Sequence, residues 1–353
     1  MKKSVKRTES SIIIRNVFAY FISVLLALGV ISVIILLFGF NVSKVLKTLL
    51  TASFRTSFGF QETIKKTIPL IFTTFAFTLP FKIKFFNTGG WGQMLFGATM
   101  VAVTGLFLSN SGITLPTYIM IPLLIIVGIL AGGFFGLIAG FLTAKYNINP
   151  IISTIMLNFV GVQFLNFIAT NSYFKDPLEG HPITLPLPKS ATLGFFGGIP
   201  HSIIFAVVSV LFVYILIKKT RLGYEINAIG YNLDAAKTYG INFPRIIMLT
   251  FFIAGALGGL AGTFEVMNIH KKLVEGFALT SGAQYGTFGI LTSLIVAGNP
   301  IGVPFSAFLM SVLLVGADAL QRTMQVPVEL VFLSQALIVL FIVIIRQRFE
   351  RGR

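Results

Sequence analysis

KKTRLGYEINAIGYNLDAAKTYGINFPR, residues 218–245, lies between two long apolar stretches, 201–217 and 246–268. About 20 apolar residues cross a bilayer core as helix, so both flanks read as spans. The stretch between them reads as a basic connection at one membrane face. Residues 222–229 have helix-forming character that stops near Gly230. Asn232 is a natural N-cap for a second short helix over 233–239, with Asp234 favourable at its positive end. Gly240 suits the position just past its C-terminus. Two short helices near 222–240 are expected along the membrane surface, exposing Tyr224, Glu225, Ala235, Ala236 and Tyr239. A small flat helix with central alanines fits a groove on another protein; the plain alternative is a solvated loop.

The rest of the chain agrees with a membrane setting. Its 353 residues are 55% hydrophobic and 11% charged, with mean hydropathy +0.91, where soluble domains carry about 25% charged residues. The fold class expected is all-α: a polytopic helical membrane protein of about ten spans. These are 17–40, 63–81, 91–108, 117–141, 149–170, 201–217, 246–268, 283–298, 302–320 and 329–345. The run 17–40 follows a basic start but exceeds the roughly 7–15 residues of a cleavable signal core, so it reads as a retained span. An even count puts both termini on one side. Most of the 27 Lys and Arg fall in 1–16, 82–84, 145, 218–245 and 346–353, which the positive-inside rule assigns to the cytoplasm.

One transmembrane domain over 1–353 results. It has a cytoplasmic segment 1–16, an outer interfacial segment 41–62, an external loop 171–199 and a cytoplasmic tail 346–353. Pro and Gly fill 171–199, which predicts little regular structure there. The net charge of +16 sits between and outside spans, with no soluble basic domain to hold a duplex. Anionic headgroups and an acidic partner surface suit it better than nucleic acid. There is no cysteine and no metal-ligand spacing among His181, His201 and His270. No phosphate-binding loop of the GxxxxGK[ST] type occurs either.

Two polar features interrupt the apolar runs. Asn87-Thr88-Gly89-Gly90-Trp91-Gly92-Gln93 is poor helix, so the chain is expected to break near 86–93. Such backbone survives at membrane depth only when buried in protein or lining a watery cavity, and transporters aim helix ends at solutes from such breaks. A cytoplasmic glycine turn is the alternative. Asn158 and Thr154 share a helix face in a span that also carries Gln163, and amides at depth need partners from another helix or from a solute. Gly128, Gly132, Gly136 and Gly140 recur every four residues, and Gly255, Gly258, Gly259 and Gly262 form a second cluster. Both predict close helix packing, static or sliding. Among the acids, Glu265 and Asp318 fall within spans, near their outer ends.

At these residues the chain resembles the permease subunits of bacterial ABC importers, in the nucleoside and simple-sugar branch served by lipoprotein receptors. The matching stretches are FNTGGWGQMLFGA (Phe86–Ala98), TAKYNINPIISTIMLN (Thr143–Asn158) and TRLGYEINAIGYNLDAAKTYGI (Thr220–Ile241). TFGILTSLIVAGNPIGVPFSA (Thr287–Ala307) and GADALQRTMQVPVELV (Gly316–Val331) complete them. The resemblance implies a multi-pass subunit of the bacterial inner membrane, with both termini cytoplasmic. It implies pairing with a second, similar permease, a relative in preference to a copy, with ATPase subunits beneath and a substrate-binding lipoprotein outside. ATP and Mg would be bound by the partner ATPase, and no cofactor by this chain, which is no enzyme itself. Arg221, Gly223, Glu225, Asn232, Ala235, Ala236 and Gly240 would couple to that ATPase. Asn87, Gln93, Asn158 and Gln163 would line a pathway for nucleosides, purine nucleosides such as guanosine foremost. The family commonly has Glu where Trp91 stands, and often where Pro150 stands, so no acidic role is carried over there. Ribose or another simple sugar is the alternative solute, and an ion-coupled secondary carrier the alternative class.

Overall fold

The computed structural model describes residues 26, 29–275 and 283–351. The expected segment 1–16, the first part of the span 17–40 and residues 352–353 lie outside the described residues. The helices are α1 (29–37), α2 (Val42–Arg55), α3 (Ser57–Lys82), α4 (Gly90–Asn110), α5 (Thr117–Tyr146), α6 (Pro150–Thr170) and α7 (Ile203–Lys219). They continue with α8 (Arg221–Tyr231), α9 (Leu233–Thr238), α10 (Phe243–Phe264), α11 (Ala283–Ile295), α12 (Val303–Met324) and α13 (Val328–Arg351). Each expected span from 63–81 onward meets a helix. Among the described residues, five helices are long and apolar enough to cross a bilayer, or six if α7 and α8, bent by 69°, form one span. The protein is an all-α, polytopic membrane fold.

Two compact units make up the chain: Met1–Thr63 with Leu309–Arg353, and Ile64–Phe308. In the first, α2 is amphipathic, burying Val45, Leu49 and Ser53 at a spacing of four. It lies so close to α12 that a Cβ on Gly316 would overlap the Leu49 carbonyl. The Asn41 side chain caps α2 by accepting from Lys44 N–H at 3.0 Å.

In the second unit, α10 is the central strut, between α5 and α4. The two glycine clusters of the sequence face one another across the α5–α10 seam. A Cβ on Gly132 would overlap the Gly255 carbonyl and Gly259 Cα, and one on Gly136 would meet Phe251 and Gly255. Only hydrogen at these positions lets two backbones come this close, which gains dispersion contacts where lipid supplies no hydrophobic drive between helices. About 60° further round α10, Gly258 abuts Gln93 and Gly262 abuts Met94.

Past α10 the helix widens into a π-turn, Glu265–His270. Residues 171–199 have little regular structure, a two-stranded hairpin of Phe195–Phe196 with Ile199–Pro200 and one 3-10 turn, yet they are laced to the π-turn and the segment that follows it. Thr184 N–H donates to Leu273 O at 3.0 Å, Leu187 N–H to Lys271 O at 2.8 Å and Leu193 N–H to Met267 O at 3.0 Å.

Candidate functional site

The break between α3 and α4 covers residues 83–89, a few residues earlier than the glycine spacing predicts. Gly90, Trp91, Gly92 and Gln93 already form the first turn of α4. Packing overrides propensity here, because a Cβ on Gly92 would lie 2.8 Å from Asn158 Cα.

Backbone accounting explains the polar residues. Pro80 lacks an N–H, so the carbonyl of Ala76, four residues back in α3, has no helical donor. Asn87 Nδ2 supplies one at 2.9 Å. Asn87 Oδ1 accepts from Gly89 N–H at 3.0 Å and from Gln93 Nε2 at 3.2 Å. At the start of α4 the N-cap is Gly89, which has no side chain to satisfy the free amides of the first turn. Asn158 caps it from α6 instead: its Oδ1 accepts from Gly92 N–H at 2.7 Å, while its Nδ2 donates to Thr88 O at 3.0 Å. Thr154 donates to Pro150 O at 2.6 Å, so Thr88 must be the donor in the 2.8 Å contact between the two hydroxyls.

Asn87, Gln93 and Asn158 are therefore brought together, all buried, in one self-satisfied network that stitches the break to α6. Gln163 is not among them. It is exposed on another face of α6, accepting from Asn166 Nδ2 at 3.4 Å.

The second element is the α8–α9 pair. Thr220 turns the chain out of α7: its hydroxyl donates to Leu216 O at 2.6 Å and accepts from Gly223 N–H at 3.1 Å. Gly223 sits against the Leu216 and Ile217 carbonyls, where a Cβ would overlap. Gly230, expected to stop the helix, lies inside α8 and rests on the carbonyl of Lys82 at the end of α3. The Asn232 side chain caps α9 by accepting from Ala235 N–H at 3.0 Å, and Gly240 takes the left-handed conformation (φ 80°) that ends it.

Arg221, Glu225, Asn232, Ala235, Ala236 and Gly240 line one groove of about 520 Å³ between α8 and α9. Arg221 and Glu225 form an ion pair at 3.0 Å. Tyr224, Tyr231 and Tyr239 rim the groove and are exposed. Ala236, expected on the surface with Ala235, is buried (4% exposed). In a six-residue helix lying flat on the protein, one of two adjacent residues must face inward. Instead of a ridge, the pair presents a recess.

Sequence reading missed the α8–Lys82 contact and the side-chain contact inside the π-turn, His270 Nε2 to Glu265 Oε2 at 3.3 Å. Pro80 was a usable signal for the Ala76–Asn87 bond, since a proline always frees the carbonyl four residues before it. No ligand-holding cluster of His, Asp or Glu occurs among the described residues.

The family of permease components of branched-chain amino acid transport systems matches residues 59–345. The nucleoside ABC transporter permease protein NupB of Lactococcus lactis is 30% identical over 323 residues, 89% of this chain and 86% of that protein. The guanosine ABC transporter permease protein NupP of Bacillus subtilis is 29% identical over 325 residues, 91% of each. The glucose ABC transporter permease protein TsgB13 of Haloferax volcanii is 29% identical over 311 residues, 84% of this chain and 78% of that one. No solved structure matches the chain. A matched region spanning most of the sequence, on a multi-pass helical fold, leads to one conclusion: this chain belongs to the permease-component family of branched-chain amino acid transport systems.

Proposed function

We propose that the chain is the membrane-spanning subunit of an ATP-driven importer that moves nucleosides, purine nucleosides foremost, into the cell. The observation that carries this reading is the contact of Gly230 with the Lys82 carbonyl. It joins the capped α8–α9 element to the backbone that enters the 83–89 break. A push on α8 is delivered to Lys82, and five residues later the chain reaches Asn87. The network of Asn87, Gln93 and Asn158 then acts as an inner gate, closed here by its own hydrogen bonds and opened when α3 and α4 shift. The α8–α9 recess receives a protruding side chain of an ATPase subunit. The termini, the break and α8–α9 lie on the cytoplasmic side, and a receptor docks on the laced outer loop. A second permease, a relative of this one, completes the pathway, with the Gln163 face of α6 as its lining.

The solute follows from NupB and NupP, whose names specify nucleosides and guanosine and whose lengths match this chain. The likeness to TsgB13 supports the alternative of a simple sugar. Competition of labelled guanosine uptake by adenosine, uridine, ribose and glucose separates the two. Loss of guanosine uptake to ribose but not to adenosine overturns the nucleoside reading. Uptake by the purified chain alone, driven by an ion gradient without an ATPase, overturns the importer.

A further inference from the structure

Beside the proposed gate lies a cavity of about 990 Å³ that the pathway reading leaves without a role. It is bounded by the break (Lys84, Phe85, Phe86), the α5–α6 turn and the joint between α9 and α10. Its size falls at the upper end of ligand pockets, about 300–1,000 Å³.

Four features of its wall favour one kind of ligand. Among the described residues, Lys84 and Lys237 line it and no carboxylate does. Two helices begin at its edge, α6 at Pro150 and α10 at Phe243, and helix N-termini carry partial positive charge that favours anions. Flat apolar surface is supplied by Phe85 and Phe243, with ring centroids 6.1 Å apart and planes tilted by 37°. The Lys237 ammonium stands 5.4 Å from the centroid of the Phe243 ring, so cationic and aromatic surfaces are adjacent. Thr143 also lines the cavity, is 5% exposed, and its hydroxyl has no hydrogen-bond partner. A buried hydroxyl left unpaired carries a free-energy cost that a polar ligand can remove.

We propose that this cavity binds an aromatic phosphate of the nucleoside monophosphate class, its phosphate between Lys84 and Lys237 and its ring against Phe85 and Phe243. Such a ligand bridges the break and the α9–α10 joint, the two segments that the proposed gating stroke moves. Bound there, it holds them together and slows transport, so that the phosphorylated form of an accumulated nucleoside restrains further uptake. Access from the cytoplasm, and that restraint, rest on the sidedness and transport reading above; binding itself does not.

The test uses the purified full chain in phosphatidylcholine nanodiscs, where both faces are open and no transport is needed. Titration with labelled guanosine 5′-monophosphate is expected to saturate at one site, with guanosine at least tenfold weaker and inorganic phosphate competing. Lys84→Asn, which removes the charge while tolerating the left-handed backbone at this position (φ 63°), weakens binding at least tenfold, as does Lys237→Gln. Equal binding of guanosine and its monophosphate, or binding unchanged in both variants, overturns the proposal. So does loss of the nucleotide when phosphatidylglycerol replaces half the lipid, which makes a lipid headgroup the occupant. Should the variants misfold, photolabelling of the wild type with 8-azidoguanosine monophosphate decides. Attachment near Phe85 or Phe243 supports the site, and attachment confined elsewhere refutes it. Failed guanosine uptake with intact nucleotide binding sinks the transport reading and leaves this one standing.

Discussion

Asn158 caps a helix to which it does not belong: from α6 it accepts the amide of Gly92 in the first turn of α4, at 2.7 Å. The Gly89 N-cap makes that necessary, and the same side chain returns a hydrogen to Thr88 O. One amide thus holds both sides of the α4 entry. Asn158→Ala strands a buried N–H and a carbonyl, at a cost of about 1–3 kcal/mol. A lower melting temperature and raised ATPase activity without solute are expected. Unchanged melting and unchanged basal ATPase would remove Asn158 from the gate.

Ala235 and Ala236 allow the proposed coupling to be tested apart from folding. Ala235 is exposed in the α8–α9 recess and Ala236 is buried. Ala235→Glu is expected to abolish solute-stimulated ATPase activity while leaving insertion and melting temperature unaltered. Ala236→Glu places a carboxylate against apolar packing and lowers both. Paired transport and thermal-unfolding measurements on the two variants check this.

The proposed coupling route depends on the contact of Gly230 with Lys82. Gly230→Leu pushes α8 off that carbonyl, so the ATPase still co-purifies while transport falls at least tenfold. Wild-type transport in this variant would exclude the contact as the linkage.

Lys82 is the last residue of α3, which is not among the helices long and apolar enough to cross a bilayer. Burial, and then the nearby charge of Lys218, hold its amine below the ordinary lysine value of 10.5. The folded state therefore binds fewer protons than the unfolded one between the lowered value and 10.5, so stability rises with pH across that window. Lys82→Met is expected to raise the melting temperature at neutral pH and to flatten that rise, as a pH series of unfolding curves would show.

The α5–α10 seam tolerates no side chain. Gly132→Leu forces the two backbones apart at a cost of about 1–3 kcal/mol or more, visible as loss of folded protein on gel filtration. Unchanged yield and melting would show that the seam opens freely, as a sliding interface would.

The seam was legible because a four-residue glycine period has one geometric meaning on a helix. So were two short helices at α8 and α9, the second through its caps Asn232 and Gly240, which act through local chemistry. The break was expected a few residues too late because Gly90 and Gly92 are weak helix formers only until a neighbouring helix needs their missing Cβ. The burial of Ala236 was hidden, since six residues are too few to show a periodic apolar face. Gln163 could not be separated from Asn158 because α6 is apolar nearly all round, leaving no polar stripe to orient it. The Glu265–His270 pair depends on a π-turn, which shifts residues five apart onto one side and leaves no mark in the sequence.

A last consequence follows from α10. Its 22 residues make a rod of about 33 Å at 1.5 Å per residue, gripped by glycines on two sides. Its N-terminal end adjoins α9, and its C-terminal end carries the π-turn to which residues 171–199 are tied. A stiff strut with an attachment at each extremity carries a displacement of one end to the other. A pull on the 171–199 loop would thus reach the α9–α10 joint along a single helix axis.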